Sequence, residues 1–229
     1  TMTTITQEQR LDRQAQIIHS SMAQATVIIA GMGMLGSWTA HALARSAGRL
    51  IVYDGGDKVE PENLGNQAYN RLHVTEAKGG SIASTLYGFD IDAKTTMFPD
   101  STAIDADVVV SCVDTLHGRR MIARWCLQYN VSLFIDTRAQ GEIAVICTAK
   151  PNQIEEYIRC IPKARDVEER RCGAVGSAYV GMWVASQVAA TINAYYRGLA
   201  IPKMMVHHVG LNQEIKRTMY SDSEGGDGQ

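Results

Sequence analysis

The feature that most constrains this chain is a glycine pattern directly after a short apolar run. Residues 26–31 (TVIIAG) are rich in β-branched side chains and predict a buried strand. The pattern G-x-G-x-x-G follows and opens a segment with apolar residues at helical spacing. Residues 49–54 (RLIVYD) predict a second strand that ends at Asp54. A strand, a glycine turn, a helix and a second strand predict a βαβ unit with parallel strands.

The glycines of this pattern have separate physical tasks. Gly31 permits a sharp turn, Gly33 lets a phosphate approach the backbone, and Gly36 lets the helix pack closely on the strand. The helix N-terminus offers free N–H groups to an anion, and Asp54 is placed to accept hydrogen bonds from ribose hydroxyls. The pattern predicts a nucleotide site, but it does not separate NAD from ATP.

Composition limits the classes of protein and partner. The chain has 229 residues, of which 45% are hydrophobic and 20% charged, which is typical of one globular domain. We expect a single domain over residues 1–220, with a helical N-terminal arm at 1–24 and a disordered tail at 221–229. The net charge of −2 argues against nucleic acid or an anionic membrane as a partner. Five cysteines without a pairing pattern, and no run of 18 apolar residues, favour a reduced cytoplasmic protein.

Strand and helix patterns alternate along the rest of the chain. They predict a doubly wound, Rossmann-like α/β fold with a mostly parallel sheet and an antiparallel C-terminal part. The further predicted elements are a helix at 74–88, a short strand at 95–100, a strand at 107–112, a helix at 115–130, strands at 131–136 and 142–149, a polar loop at 150–171, a helix at 173–198 and a hairpin at 203–220.

Two residues beyond the first βαβ unit favour ATP over a dinucleotide. Lys78 follows the loop after Asp54, and Asp114 follows the third buried strand. The carboxyl ends of parallel strands meet at one edge of the sheet, beside the glycine loop. There the lysine would neutralise phosphate charge, and the aspartate would hold Mg²⁺ against phosphate oxygens. A nicotinamide dehydrogenase needs neither group for its pyrophosphate.

Together these motifs resemble the ThiF/MoeB/HesA superfamily of adenylating enzymes, which activate ubiquitin-like proteins. The family pattern combines an R-Y-x-R-Q arm, G-x-G-x-x-G, D-x-D-x-V, N-L-x-R-Q, a lysine and D-x-x-x-x-R. The matching segments here are RLDRQ (10–14), GMGMLG (31–36), DGGDKV (54–59), NLGNQ (63–67), Lys78 and DTLHGR (114–119). The segment around Cys172 is similar to the family segment in which a cysteine precedes a small-residue run and a long helix.

The resemblance implies that a C-terminal carboxylate attacks the α-phosphate of ATP, forming an acyl-adenylate in a homodimeric enzyme. Asp114 would bind Mg²⁺, Lys78 and Asn63 would bind phosphates, and Arg13 would reach the phosphates in the neighbouring subunit. The cofactor-binding residues that it implies are Gly31, Gly33, Gly36, Asp54, Asp57, Asn63, Gln67, Lys78 and Asp114. The partner would be a ubiquitin-like protein or a peptide with a free C-terminus.

The sequence departs from the family pattern at three places. Asn66 stands where the pattern has an arginine, and a neutral amide supplies no charge to phosphates. Arg71 is a candidate substitute. The aspartate pair is spaced as Asp54-Gly-Gly-Asp57, one residue longer, and we favour Asp54 for the ribose because it ends the strand. Tyr157 occupies a cysteine position of the family's zinc site and no cysteine follows Cys172, so we predict no zinc.

The cysteines and histidines divide into candidates and core residues. Cys172 follows two arginines and precedes a helix, which favours a lowered thiol pKa and a role in thioester or persulfide transfer. An idle loop cysteine is the other reading. Cys112, Cys126 and Cys147 lie in apolar patterns typical of a core, and Cys160 is left without a metal. His207 and His208 are adjacent in a predicted strand and point to opposite faces, which disfavours a shared ion. His117, near Asp114, is a further candidate for ligand contact.

Two other functions stay open on the sequence alone. A non-catalytic nucleotide-binding subunit of an activating heterodimer would explain Asn66. A nicotinamide oxidoreductase would explain the glycines and Asp54, but it leaves Lys78 and the RLDRQ arm unexplained.

Overall fold

An eight-stranded sheet organises the computed structural model, which describes residues 6–100, 104–162 and 176–215. The strand order is β3-β2-β1-β4-β5-β6-β7-β8. In chain order the strands are β1 (Thr26–Ala30), β2 (Arg49–Tyr53), β3 (Ile91–Lys94), β4 (Val108–Ser111), β5 (Leu133–Gln140), β6 (Ile143–Ala149), β7 (Met204–His208) and β8 (Gln213–Glu214). Neighbours from β3 to β5 are parallel, and neighbours from β5 to β8 are antiparallel. The predicted fold class is confirmed.

Helices cover both faces of the sheet. In chain order they are α1 (Gln7–Leu11), α2 (Ser20–Gln24), α3 (Met34–Leu43), α4 (Lys78–Thr85), α5 (Leu116–Gln128), α6 (Ile154–Cys160) and α7 (Ala178–Tyr196). Helices α3 and α7 pack together on one face, and α5 and α6 pack together on the other. No helix in the described ranges is long and apolar enough to cross a membrane.

Strand β1 shows why the sequence reads as a continuous apolar run. Val27 and Ile29 belong to the core under α3 and α7, whereas Ile28 and Ala30 belong to the core under α5. Successive strand residues point to opposite faces, so a strand covered on both sides needs apolar residues at every position.

The order of the strands places the carboxyl end of β1 at a topological switch point. The connection from β1 leads to β2 on one side, and β4 lies on the other side. The connections leave a crevice between such strands, and ligands of doubly wound folds bind there.

The N-terminal arm docks on its own chain as short helical pieces rather than one helix. Asn193 of α7 accepts a hydrogen bond from the backbone N–H of His19 (2.9 Å) and donates one to the carbonyl of Ile17 (2.9 Å). The guanidinium of Arg10 donates to the carbonyls of Ala44 and Ala47, at the end of α3. The predicted helical arm is therefore divided between α1, a 3-10 turn at Asp12–Gln14, and α2.

Two predicted elements are wrong. Residues 95–100, predicted as a strand, follow β3 as a loop, and Pro99 is a signal against a strand that the prediction did not weigh. Residues 150–162, predicted as loop, contain a 3-10 turn and α6. Ile154 and Tyr157 are buried at a spacing of three, with Glu155 and Glu156 in the first turn, so a short helix is favoured locally. The rest of the predicted loop and the predicted tail lie outside the described residues.

Gly36 provides a test of the close contact between α3 and the glycine turn. A Cβ at this position would lie 1.8 Å from the carbonyl oxygen of Gly31. We expect Gly36→Ala to lower the free energy of unfolding by about 1–3 kcal/mol, because the helix must move away from the turn. Chemical denaturation measures this change.

Gly80→Ala is the matched control. Gly80 lies in α4, and nothing lies within 4 Å of the Cβ that it would gain. This variant should gain about 0.4–1 kcal/mol, because alanine restricts the unfolded chain more than glycine does. Equal destabilisation by the two substitutions would contradict the proposed close contact.

Candidate functional site

A cavity of about 580 Å³ lies at the carboxyl ends of β2, β1, β4 and β5. It occupies the switch point of the sheet. Its lining includes these residues that the sequence proposed for nucleotide binding: Gly31, Gly33, Asp54, Asp57, Asn63, Gln67, Lys78 and Asp114. Gly36 is absent from the described lining, because it packs beneath the turn. The structure therefore brings together residues that are up to 83 positions apart in sequence.

The glycine turn presents backbone N–H groups to this cavity. Gly31 has a φ of +91°, in the left-handed region that favours glycine. Gly33 precedes α3 and offers no side chain to cap it. The first N–H groups of α3 have no partner within the helix, and the helix dipole adds a partial positive charge there. The turn can accept an anion without a charged side chain.

Asp54 fixes the glycine turn against the end of β2. Its Oδ2 accepts a hydrogen bond from the N–H of Met32 (2.9 Å), and its Oδ1 accepts one from the N–H of Asp57 (3.2 Å). Burial raises the pKa of the Asp54 carboxyl above its ordinary value, and the Met32 N–H and the charge of Lys78 offset only part of this effect. Asp54 therefore has a structural task in addition to any contact with a ribose.

The additional glycine of the Asp54–Asp57 segment turns Asp57 outward. Gly56 has a φ of +91°. The Asp57 side chain is 77% exposed, and one of its oxygens lies 3.9 Å from Nζ of Lys78. The buried Asp54 and the exposed Asp57 thus occupy different environments. This difference favours Asp54 as the aspartate that meets a ribose.

Lys78 supplies a cation to the cavity from the start of α4. Its side chain is only 13% exposed, and its backbone N–H donates to the carbonyl of Asp57 (2.9 Å). The exposed Asp57 is its ion-pair partner, and a surface pair of this kind contributes little stability. The ammonium group is therefore available to phosphate oxygens that enter the cavity.

Asp114 offers an exposed carboxylate at the end of β4. It lies in the turn between β4 and α5, and Thr115 caps α5 by accepting a hydrogen bond from the N–H of Gly118 (3.1 Å). The described residues contain no group of three or more His, Cys, Asp or Glu that could hold a metal ion. One carboxylate fits Mg²⁺ nonetheless, because Mg²⁺ is usually held by one or two carboxylates together with substrate phosphates.

Asn63 and Gln67 belong to the loop opposite the glycine turn. Asn63 Oδ1 already accepts a hydrogen bond from the N–H of Glu60 (3.0 Å), which leaves its amide nitrogen for a ligand. Gln67 Oε1 is buried and has no hydrogen-bond partner among the residues that the structure describes. A buried acceptor without a donor costs about 1–3 kcal/mol. A ligand with an N–H or O–H group would remove that cost.

A buried arginine–aspartate–arginine cluster lies beneath the cavity. Asp136 is fully buried and accepts from Arg119 and, at 2.7 Å, from Nε of Arg138. Arg119 also donates to the carbonyl of Thr137 (2.9 Å) and lines the cavity. Burial lowers the pKa of Arg138, but the charge of Asp136, the effect of Tyr157 and the hydrogen bonds to both together raise it by more, so the net shift is upward. The pattern D-x-x-x-x-R thus ends in a residue that is bound to Asp136.

Several candidate residues are not among the described residues that line the cavity. Arg71, Arg13 and His117 are exposed and are absent from the described lining. Asn66 is also absent from that lining. Cys172 lies outside the described residues, so its role stays a prediction. The prediction that zinc is absent is untested for the same reason.

The surroundings of three described cysteines and of His207 argue against a catalytic role for these residues. Cys126 and Cys147 are buried, as predicted, and Cys112 lines the cavity. Burial raises the pKa of the Cys112 thiol to about 12, so the thiol stays protonated and is a poor nucleophile. His207 stacks on Trp183, with ring centroids 4.5 Å apart.

The sequence interpretation missed part of the lining. Met97, Phe98, Ala139 and Gly176 all line the cavity. Met97 and Phe98 lie in the segment predicted as a strand, and Ala139 lies in the last part of β5, beyond the predicted limit of that strand. A signal for the first two was available, since Pro99 favours a loop at this edge of the sheet. No local signal points to Ala139 or Gly176.

Comparison with known proteins now identifies the family. The sequence model of the ThiF family matches residues 11–221. The chain belongs to the ThiF family. Members of this family are adenylating enzymes that use ATP. Comparison with the curated proteins gives no match.

Solved structures of other proteins share the fold. The crystal structure of PaaA is 16% identical in sequence, with a TM-score of 0.72 over 96% of this chain and 86% of that chain. E. coli MccB with succinimide is 18% identical, with a TM-score of 0.71 over 92% of this chain and 71% of that chain. E. coli MccB with ATP is 19% identical in sequence, with a TM-score of 0.68 over 87% of this chain and 65% of that chain. Identities this low support the fold alone.

The buried charge cluster leads to a stability prediction. We expect Asp136→Asn to lower the free energy of unfolding by about 3–5 kcal/mol, because the buried guanidinium of Arg119 and the partly buried guanidinium of Arg138 lose their counter-charge. Asp92→Asn on β3 is the matched control: its partners Arg49 and Lys94 are partly exposed, and its loss should cost about 1 kcal/mol or less. Urea titrations of both variants measure the difference. Similar losses in the two variants would show that the Asp136 cluster contributes no more than a surface pair.

Proposed function

We propose that this protein uses Mg-ATP to adenylate the C-terminal carboxylate of a ubiquitin-like protein or a peptide. The single observation that carries the proposal is the cavity at the switch point. It is lined by the glycine turn, Asp54, Lys78 and Asp114. Family membership supports the same class of chemistry. We also propose that residues 1–220 act as one adenylation domain.

The order of groups along the cavity favours one direction for ATP. Asp54 ends β2 and would accept hydrogen bonds from the ribose hydroxyls. The N–H groups at the start of α3 would bind the α- and β-phosphates. Asp114, which follows β4, lies farther along and would hold the charged leaving group through Mg²⁺. Lys78 lies close to Asp54 and Asp57 and would bind phosphate oxygens from the β2 side of the cavity. Asn63 and Gln67 complete the opposite wall.

Asp114 would hold Mg²⁺ together with phosphate oxygens. When bound, the ion neutralises negative charge that develops on the phosphates as pyrophosphate leaves. The charges of the cavity lining support a role for such an ion. Its charged lining residues within the described ranges comprise four carboxylates and two cations: Asp54, Asp57, Glu60, Asp114, Lys78 and Arg119. Arg119 is already paired with Asp136.

The reaction requires no covalent group of the protein. A carboxylate oxygen of the substrate forms a bond to the α-phosphorus, and the bond from that phosphorus to the bridging oxygen of pyrophosphate breaks. The products are an acyl-adenylate and pyrophosphate, and the electron pair leaves on pyrophosphate. Positioning and charge neutralisation therefore carry the rate. We propose a later step in which the thiolate of Cys172 attacks the acyl carbonyl of the adenylate, so that a thioester forms as the bond to AMP breaks and AMP leaves. A persulfide at Cys172, the other form of this step, requires a sulfane-sulfur donor as co-reactant.

The choice of substrate class has one external support. MccB, a microcin C7 biosynthetic enzyme, has been solved with ATP and with MccA. A similar fold thus binds ATP and a separate substrate molecule. We keep both a ubiquitin-like protein and a peptide as substrates of the proposed reaction.

We propose a homodimer in which Arg13 reaches the cavity of the neighbouring subunit. Hydrogen bonds of Arg10 and of Asn193 hold the N-terminal arm on its own chain. Arg13 lies in this arm, is exposed, and is not among the described residues that line the cavity of its own subunit. The shortage of unpaired cations in that cavity favours a contribution from a second copy.

The first test is pyrophosphate exchange into ATP in the presence of a candidate partner. Wild type should exchange only with partner and Mg²⁺, and Asp114→Ala should lose about 100-fold or more of the rate. Glu62→Ala, an exposed residue of the loop outside the described cavity lining, is the control and should keep the wild-type rate.

The same assay separates the rival functions. ATP binding without exchange, by titration calorimetry, would favour a non-catalytic subunit of a heterodimer. NADH binding without ATP binding would favour an oxidoreductase.

A second test mixes two inactive variants. Arg13→Ala keeps Asp114, and Asp114→Ala keeps Arg13, so a mixed dimer contains one complete site if Arg13 acts across the interface. Random reassociation of equal amounts should restore about a quarter of wild-type exchange. Each variant alone measures the background. Restoration no greater than this background would place Arg13 in its own subunit's site or outside catalysis.

A further inference from the structure

Asn66 departs most sharply from the family pattern, and the structure shows what it contacts. The residue follows a 3-10 turn at Pro61–Gly65, and it is partly buried. Its backbone carbonyl accepts a hydrogen bond from Nε1 of Trp38 on α3 (3.0 Å). Its side-chain Nδ2 donates to the carbonyl of Gly176, directly before α7 (3.1 Å). Asn66 thus joins the loop after β2 to both helices on one face of the sheet.

The bond to Gly176 requires a hydrogen-bond donor at position 66, and here the donor is the amide nitrogen of Asn66. A backbone carbonyl oxygen only accepts hydrogen bonds, so the group that faces it must be a donor. Asparagine supplies this donor on a short, neutral side chain. An arginine is longer and charged, and it would have to displace Gly176 or turn away from it. Asparagine at position 66 can therefore bond to the Gly176 carbonyl in this geometry, whereas an arginine cannot do so without a shift of the backbone.

Gly176 forms a wall of the cavity. It lines the cavity with Ala139 and forms an isolated parallel bridge with Gly141. A Cβ at Gly176 would lie 2.6 Å from Cε of Met34 in the first turn of α3. The end of the Met34 side chain therefore covers the α-carbon of Gly176. The position of Gly176 depends on the bonds that hold it there.

This wall is at the end of the cavity away from Asp54. Asp54 follows β2, and Ala139 lies near the end of β5, with β1 and β4 between the two strands. Three strand spacings of about 4.8 Å separate the two ends by about 14 Å. If the ribose lies at Asp54 and the phosphates lie at β1 and β4, the β5 end is the part of the cavity left for the acyl substrate. Gly176 lies where that chain would enter.

We propose that Asn66 is a positioning residue for the acyl substrate. Its carboxamide holds the backbone of Gly176 in the wall at the β5 end of the cavity, and the residue makes no contact with the nucleotide. This inference rests on the proposed function for the identity of the substrate, but the bond itself does not. The family pattern has a charged residue at this position. Here the position carries a hydrogen bond from Asn66 Nδ2 to the carbonyl of Gly176, which we call the clasp and which joins residues 110 positions apart.

The test compares Asn66→Ala, Asn66→Asp and Asn66→Gln with wild type. Asn152→Asp is the matched control, because Asn152 is exposed, lies outside the described cavity lining, and undergoes the same change of charge. Hydrogen–deuterium exchange of residues 176–182 reports the clasp, and calorimetry with Mg-ATP reports the nucleotide site. Neither measurement requires adenylation, so a failure of the clasp is distinguished from a failure of the proposed function.

We expect Asn66→Ala and Asn66→Asp to raise amide exchange at residues 176–182 by about tenfold, because the segment opens more often. The Kd for Mg-ATP should stay within about twofold of wild type. Asn66→Gln keeps an amide donor and should give an intermediate exchange rate, which keeps the test valid if the other variants fold poorly. The control should match wild type in both measurements.

A partner that supports adenylation adds a kinetic readout. The Asn66 variants should then raise the KM for the acyl substrate and leave the KM for ATP unchanged. Wild-type exchange at 176–182 in Asn66→Ala would overturn the proposal. A tenfold weaker Kd for Mg-ATP in Asn66→Ala would overturn it too, because Asn66 would then serve the nucleotide.

Discussion

The hydrogen bonds of the Asp54 carboxylate are the constraint on which the rest of the site depends. One carboxylate oxygen accepts a hydrogen bond from the N–H of Met32, and the other accepts one from the N–H of Asp57. These bonds join the glycine turn after β1 to the loop after β2, so two segments at the switch point keep a fixed relation. Burial raises the pKa of this carboxyl, and the donors on both sides offset part of that effect.

The charged groups that line the cavity are mostly negative. Carboxylates outnumber cations in the described lining, and Arg119 is bound to Asp136 beneath it. Lys78 remains as a cation directed to the cavity, with exposed Asp57 as its only described ion-pair partner. Such a site favours an anionic nucleotide that arrives with a metal ion. Backbone amides at the start of α3 and a cation from a second copy would supply further positive potential, which is consistent with catalysis by positioning.

Much of this site could be predicted from sequence because parallel strands share one edge. Once β1, β2 and β4 are recognised, the residues that follow them must meet, which brings Gly33, Asp54 and Asp114 together. Residues contributed by irregular segments could not be predicted in this way. Gly176 reaches the cavity because α7 packs on α3, and α6 was missed because its buried face contains only Ile154 and Tyr157. A signal this short does not separate helix from loop.

The sequence by itself determined the fold class, the nucleotide-binding turn and the preference for a triphosphate. Each of these follows from local spacing: β-branched runs make the strands, glycines make the turn, and Lys78 and Asp114 follow elements that end at one edge. Only the tertiary structure decided which polar groups face the ligand. Arg119 forms an ion pair with Asp136, and the side chain of Asn66 donates a hydrogen bond to the carbonyl of Gly176. These pairings join residues far apart in the chain, and a side chain's partner depends on how the helices pack across the sheet rather than on its neighbours in sequence.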